Sequence, residues 1–152
     1  MGTQGGVTGW GFSVVNTDPD NWLVLNDSFV TGSLSTGTFG TYKDYVGNQF
    51  VVVDPNGGTF SQAFDPATQS GAGEFDLAAF VPPISIPGAI NLDYTLFSQN
   101  PNDPNFDPGS FVASGTVQSA ASVDVTPEPS SILMLITGAV PLVFAGRRKR
   151  AA

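Results

Sequence analysis

Apolar and polar residues alternate with period two along most of the chain. The clearest run sets Ile90, Leu92, Tyr94 and Leu96 against Asn91, Asp93 and Thr95. A second sets Val117, Ala121, Val123 and Val125 against Thr116, Gln118, Ser122 and Asp124. Successive side chains of a strand point to opposite faces, so this pattern predicts strands with one buried face. Trp10, Phe12 and Val14, the stretch Trp22–Val30, the short runs Gln49–Val53 and Thr59–Phe64, and Phe75–Phe80 read as further strands. Turn chemistry separates them. Asn16-Thr17-Asp18-Pro19-Asp20-Asn21 and Asp54-Pro55-Asn56-Gly57-Gly58 are clusters of residues that favour turns. No stretch before residue 126 has sustained helical periodicity. Seven or eight two-faced strands predict an antiparallel β-sandwich over residues 9–125, of Ig-like or jelly-roll type, with Phe12, Trp22, Leu92 and Val123 buried. Residues 1–8 are expected to be a flexible lead-in.

The pattern changes at residue 126. Val125-Thr126-Pro127-Glu128-Pro129-Ser130-Ser131 is followed by an uncharged apolar run, 132–146, and then by Arg147-Arg148-Lys149-Arg150. Proline fixes φ and steers the preceding residue away from the helical region, so two prolines flanking one glutamate keep residues 126–131 extended. An extended peptide suits the cleft of a processing enzyme. The stretch from Pro129 to Gly146 would span about 27 Å as a helix, just under a hydrocarbon core of about 30 Å. Gly138 and Pro141 weaken that helix. The four cations resist crossing a bilayer, which predicts a single C-terminal transmembrane helix with residues 147–152 in the cytoplasm.

Composition sharpens this division. The chain has 152 residues, room for one domain plus the tail. It holds 18 glycines, 12 prolines and 12 phenylalanines, while only 12% of residues are charged, as in an exported all-β domain. Lys43 is the one basic residue before position 147, so residues 1–146 carry 13 acids against one lysine, a net charge of −12. Such a domain is repelled by nucleic acid and by anionic lipid, and nucleic acid is excluded as a partner. With no cysteine and no histidine, disulfides, Cys/His zinc sites and Ser-His-Asp or Cys-His catalysis are excluded.

The ordered tail resembles the PEP-CTERM sorting signal of Gram-negative bacteria. Pro127, Glu128 and Pro129, the apolar run and the basic cluster stand in that family's order, over roughly the last fifth of the chain. The resemblance implies recognition by an exosortase, an integral-membrane enzyme that removes the tail. It implies a precursor in the inner membrane, then a protein at the cell surface or outside the cell. It also implies association with exopolysaccharide. On this reading the chain has no catalysis of its own and no resident cofactor. The family pattern includes a signal peptide, basic then apolar. Met1-Gly2-Thr3-Gln4-Gly5-Gly6 has neither feature, so either the true start lies upstream or the sequence is a fragment.

Within the domain, Asp103, Asn105 and Asp107 have the alternate spacing of calcium-loop ligands. Pro108 and Ser114 stand where an EF-hand requires Gly and Glu, which excludes that form. The competing reading is a loop stiffened by Asx turns and prolines. A calcium-dependent or carbohydrate-binding adhesion module on the same sandwich is the alternative function. Trp10, Trp22 and the tyrosines are candidates for sugar stacking, although their places in alternating strands favour core packing. Asp18 and Asp20 form a second acidic loop. Glu74 and Asp76, two apart on a strand, share a face as an acid pair in a glycosidase would, and equally as ordinary surface acids would. Asn26-Asp27-Ser28 fits a glycosylation pattern that a bacterial reading sets aside. Gly71-x-Gly73 lacks the third glycine of a dinucleotide fingerprint.

Overall fold

A computed structural model describes residues 1–126 of the chain. The described chain is all-β. Its strands are β1 (Gly2–Thr3), β2 (Val7–Trp10), β3 (Phe12–Asn16), β4 (Trp22–Gly32), β5 (Gly40–Asp44), β6 (Val51–Val53), β7 (Gly58–Gln62), β8 (Gly73–Leu77), β9 (Ser85–Phe97) and β10 (Phe111–Thr126). Three short 3₁₀ turns lie at Ser33–Ser35, Val46–Asn48 and Pro108–Ser110. The larger sheet has the order β1-β10-β9-β4-β6. A second has the order β2-β8-β5, and β3 and β7 form a two-stranded ribbon. All pairings are antiparallel except β1 with β10, which is parallel.

The two larger sheets share one core. Leu23, Leu25, Ile90, Leu92 and Val123 come from the five-stranded sheet, and Phe75 and Leu77 from the three-stranded one. Phe75 is fully buried, with Trp10 set edge-on against it. Phe12, Val14 and Phe60 of the ribbon pack on the same core from the side. Burying a large apolar side chain contributes about 1.5–3 kcal/mol, so this cluster is the main source of stability.

Strand β4 carries one residue more than its pattern suggests. Leu23 and Leu25 face the core, and so do Ser28 and Val30. An inward face cannot switch from odd to even positions along a regular strand. A bulge between Leu25 and Asp27 in the pairing with β9 makes the switch. The extra residue lets one strand serve the same face on both sides of the bulge.

Several expectations are corrected. Residues 1–8 are not a free lead-in: β1 pairs with Val125 and Thr126, and β2 begins at Val7. The run Trp10–Val14 is not one strand. It breaks at Gly11 and changes partner from β8 to β7. A Cβ at Gly11 would lie 2.6 Å from the Gln62 carbonyl oxygen, so only glycine fits that crossing. Leu92 and Val123 are buried, but Phe12 and Trp22 are only half-buried. β8 stops at Leu77, leaving Phe80 95% exposed, and Phe50 lies outside β6, in solvent. Among the described residues no helix is long and apolar enough to cross a membrane. The expected membrane segment, 132–146, lies outside them.

Candidate functional site

The chain carries one lysine before residue 147, and strand pairing sets it directly opposite an acid: Lys43 of β5 faces Glu74 of β8. Lys43 Nζ lies 3.1 Å from Glu74 Oε1. The Tyr45 hydroxyl donates to Glu74 Oε2. Tyr45 lies just past the end of β5, fully buried, and stacks on Phe64 with ring centres 6.4 Å apart. The Tyr45 hydrogen bond is the main reason the Glu74 carboxyl titrates below its ordinary range; burial opposes it and Lys43 adds to it. Burial, then the hydrogen bond to Glu74, pushes the Tyr45 hydroxyl up to about 12. Glu74 is therefore a fixed carboxylate at neutral pH, and its chemistry is that of an acceptor. Asp76 is exposed on the same strand while Glu74 is buried, so the two acids do not form a catalytic pair in a shared cleft.

A second polar group lies nearby. Ser28 is buried, and its hydroxyl is within hydrogen-bond distance of the Tyr42 hydroxyl at 2.7 Å and the Ala72 carbonyl at 2.6 Å, and bonds Asp44. Asp44 Oδ1 also accepts from the backbone N–H of Ser28 at 3.0 Å and of Val46 at 2.8 Å. Its second oxygen accepts from Gly47 N–H at 2.9 Å. Burial pushes the Tyr42 hydroxyl up to about 12, with the Ser28 hydrogen bond opposing and the Asp44 charge assisting. These contacts tie β4, β5 and the segment before β8 together. No local pattern in the sequence signals Ser28 or Glu74 as buried, because their partners lie 14 to 44 residues away.

The loop with calcium-type spacing is built as a succession of Asx turns. Asp103 Oδ1 accepts from Asn105 N–H at 2.8 Å, and Asp107 Oδ1 accepts from Gly109 N–H at 2.8 Å, capping the Pro108–Ser110 turn. Asp107 N–H donates to Gln99 Oε1 at 3.0 Å. Asp103, Asn105 and Asp107 are all exposed. In the other acidic loop Asp18 Oδ1 accepts from Asp20 N–H, Asn21 N–H and the Asn21 amide. The backbone N–H of Asp20, first among these, holds the Asp18 carboxyl below its ordinary range. Asp20 remains in solvent. Trp10 packs against Tyr42 and Phe75 rather than offering a free face. Among the described residues the exposed aromatic side chains are Phe29 on β4, Phe111 on β10, and Phe50 and Phe80 outside the strands. Among the described residues no three His, Cys, Asp or Glu are arranged to hold a metal ion.

The sorting residues Pro127, Glu128 and Pro129, and the basic residues Arg147, Arg148, Lys149 and Arg150, lie outside the described residues. Their point of departure is fixed. Val125 is buried and donates its N–H to the Ile84 carbonyl at 2.9 Å. Thr126 pairs with Thr3, and its hydroxyl reaches the Gly2 carbonyl at 3.4 Å. β1 thus clamps the last residue before Pro127 into the sheet. Comparison with protein-family models, with curated proteins and with solved structures finds no match to this chain.

Proposed function

We propose that this chain is an exported, non-catalytic surface or matrix protein whose C-terminus is a PEP-CTERM sorting signal handled by an exosortase-type membrane enzyme. The observation that carries the reading is the order of residues in the tail: a Pro127-Glu128-Pro129 marker, an uncharged run over 132–146, then four consecutive cations. The domain's acidity supports export without nucleic-acid or anionic-lipid partners. Two sheets that share one core support a sandwich-type cargo domain. The clamp of β1 on Val125 and Thr126 supports a marker that leaves the folded domain without an intervening linker. The inner membrane is then the precursor's site, and the cell surface or extracellular polysaccharide its destination.

Glu128 is the only charge between Asp124 and Arg147, so it is the handle a cationic or hydrogen-bonding pocket would grip. Recognition and anchoring should separate by mutation. The test is the mass of the mature protein in a host that carries the sorting enzyme. Wild type should lose Arg150, and Glu128→Ala should keep the full tail while remaining in the membrane. Neutralising residues 147–150 should disturb anchoring itself. A wild-type mature form that retains Arg150, or a Glu128→Ala variant that matures normally, overturns the sorting reading.

A further inference from the structure

β10, at 16 residues, is the longest strand among the described residues, and within them it is paired on one side only for most of its length. β9 pairs with it from Phe111 to Asp124. On its other side β1 pairs only Val125 and Thr126. Among the described residues nothing pairs the outer edge between Ala113 and Asp124. Alternate backbone N–H and C=O groups of an edge strand point away from the sheet and form a template for another strand.

Natural edges of this kind are usually guarded by lysine, proline, a bulge or shortness. Between Ala113 and Val123 this one has none of these. The register with β9 is regular from Ala113 onward, and the sequence there holds no charge and no proline. Exposure runs through both faces of the strand from Thr116 to Ala120. The side chains are small or uncharged, so a neighbouring backbone can approach closely.

A groove of about 410 Å³ opens beside this edge. It is lined by three consecutive residues of β10, 117–119, and by residues 11–14 around β3. Val117 and Ser119 are paired with Leu92 and Ile90, so the groove lies between the core-facing side of β10 and β9 and the β3 segment. Phe12, Val14, Ile90, Leu92 and Val117 make its apolar part, and Val117 stands 47% exposed at its lip.

We propose that the free edge of β10 is an assembly surface at which a second copy of this chain adds its own β10 in antiparallel pairing. The inference stands apart from the sorting reading. The occupant follows from the charge pattern. A basic partner strand would find no acid on β10 between Ala113 and Val123, whereas β10 of a second copy, uncharged over the same stretch, sets no charge against this edge. Antiparallel pairing about the middle of the free edge sets the one acid, Asp124, near residues 112–114 of the other copy rather than against its own counterpart. It also brings the two half-exposed Val117 side chains toward the two grooves. The contact is isologous, so it closes as a dimer.

A cysteine scan tests this on the full chain, which has no cysteine of its own. Single cysteines are placed in turn from Ser114 to Ser122 in detergent-solubilised protein, with exposed Thr38→Cys as control, and mild oxidant is added. A disulfide needs Cα atoms within about 7 Å. In an antiparallel pair, a residue two positions from the axis is more than about 13 Å from its copy. Dimer formation should therefore peak sharply at one or two adjacent positions. A proline at Ser119 or at Ala120, added to the best cysteine variant, completes the test. One of these two adjacent N–H groups points outward, so one proline leaves the β9 ladder intact. That variant should keep the melting temperature and lose the cross-link. A flat profile, cross-linking equal to that of Thr38→Cys, or no dimer at all overturns the proposal.

Discussion

Two flanks of this domain treat polar groups in opposite ways. Beneath β5 and β8, Glu74 and Ser28 are buried, and each meets two or more partners from distant parts of the chain. Along β10, Thr116, Gln118, Ser119 and Ala120 are small or uncharged and exposed, and the strand's outer edge meets no partner among the described residues. Both flanks belong to strands with similar alternation. The difference lies in burial and in the backbone edge: Thr116 and Gln118 bond Asp93 and Asn91 of β9 but stay in solvent, and among the described residues nothing pairs the outer side of β10 from Ala113 to Asp124. A buried polar group without a partner is costly, so the β5/β8 flank is locked to one arrangement. Small uncharged residues at an edge demand nothing of a neighbour and leave room for one.

The comparison should be sharpest in the core. Phe75→Ala should lower stability by about 3–5 kcal/mol in denaturant unfolding, because the site is sealed on all sides. Val117→Ala on the open flank should cost within about 0.5 kcal/mol at a concentration where the chain is monomeric, because Val117 is already half in water. Equal losses would mean the flanks are not different.

Next in size is the buried carboxylate. Glu74→Ala should cost about 1–3 kcal/mol, since it leaves the buried Tyr45 hydroxyl without its acceptor. Lys43→Ala should cost less, about 0–1 kcal/mol, since half of that side chain is already in solvent. Reversal of that order would mean that the ion pair, and not the Tyr45 hydrogen bond, holds the site.

The same groups set the pH response. Tyr42 and Tyr45 hold their protons more tightly in the fold than at their ordinary value of 10, up to about 12. Their contribution is complete below pH 10 and is lost as pH rises through 10 toward 12. Glu74 has the opposite sign: with its pKa lowered from 4.5, its contribution is present above that value and is lost as pH falls below it. Denaturation midpoints measured against pH should fall at both ends, and Tyr45→Phe should flatten the alkaline limb.

The smallest expected effect is a gain. Asp27 and Asp93 stand directly opposite one another on β4 and β9. Burial first, then the charges of Asp93 and Asp44, raise the Asp27 carboxyl above its ordinary range. Asp27→Asn should stabilise by about 0.2–1 kcal/mol at neutral pH, read as a higher melting temperature.

Period two made β9 and most of β10 legible, because Ile90 and Leu92 alternate with polar residues and both are buried. The β4 bulge was not legible: Leu23 and Leu25 agree with one register and Val30 with the other, and only pairing with β9 settles where the extra residue goes. β1 has two residues and no pattern. Glu74 reads locally as a surface acid, and its burial depends on Tyr45 and Lys43, about thirty residues earlier. One global signal was available, since a single lysine among so many acids draws one of them as a partner. The tail reading rests on the order of consecutive residues alone, since Pro127 and everything after it lie outside the described residues.

Amide hydrogen exchange in the full-length chain at two protein concentrations bears most directly on the contrast between the flanks. The amides of Glu74 and Phe75 should be protected at both. From Ala113 to Asp124, alternate amides should exchange freely when the protein is dilute and become protected when it is concentrated. Uniform protection of that stretch in dilute protein would contradict the open flank, and unchanged exchange at high concentration would contradict its use as an assembly edge.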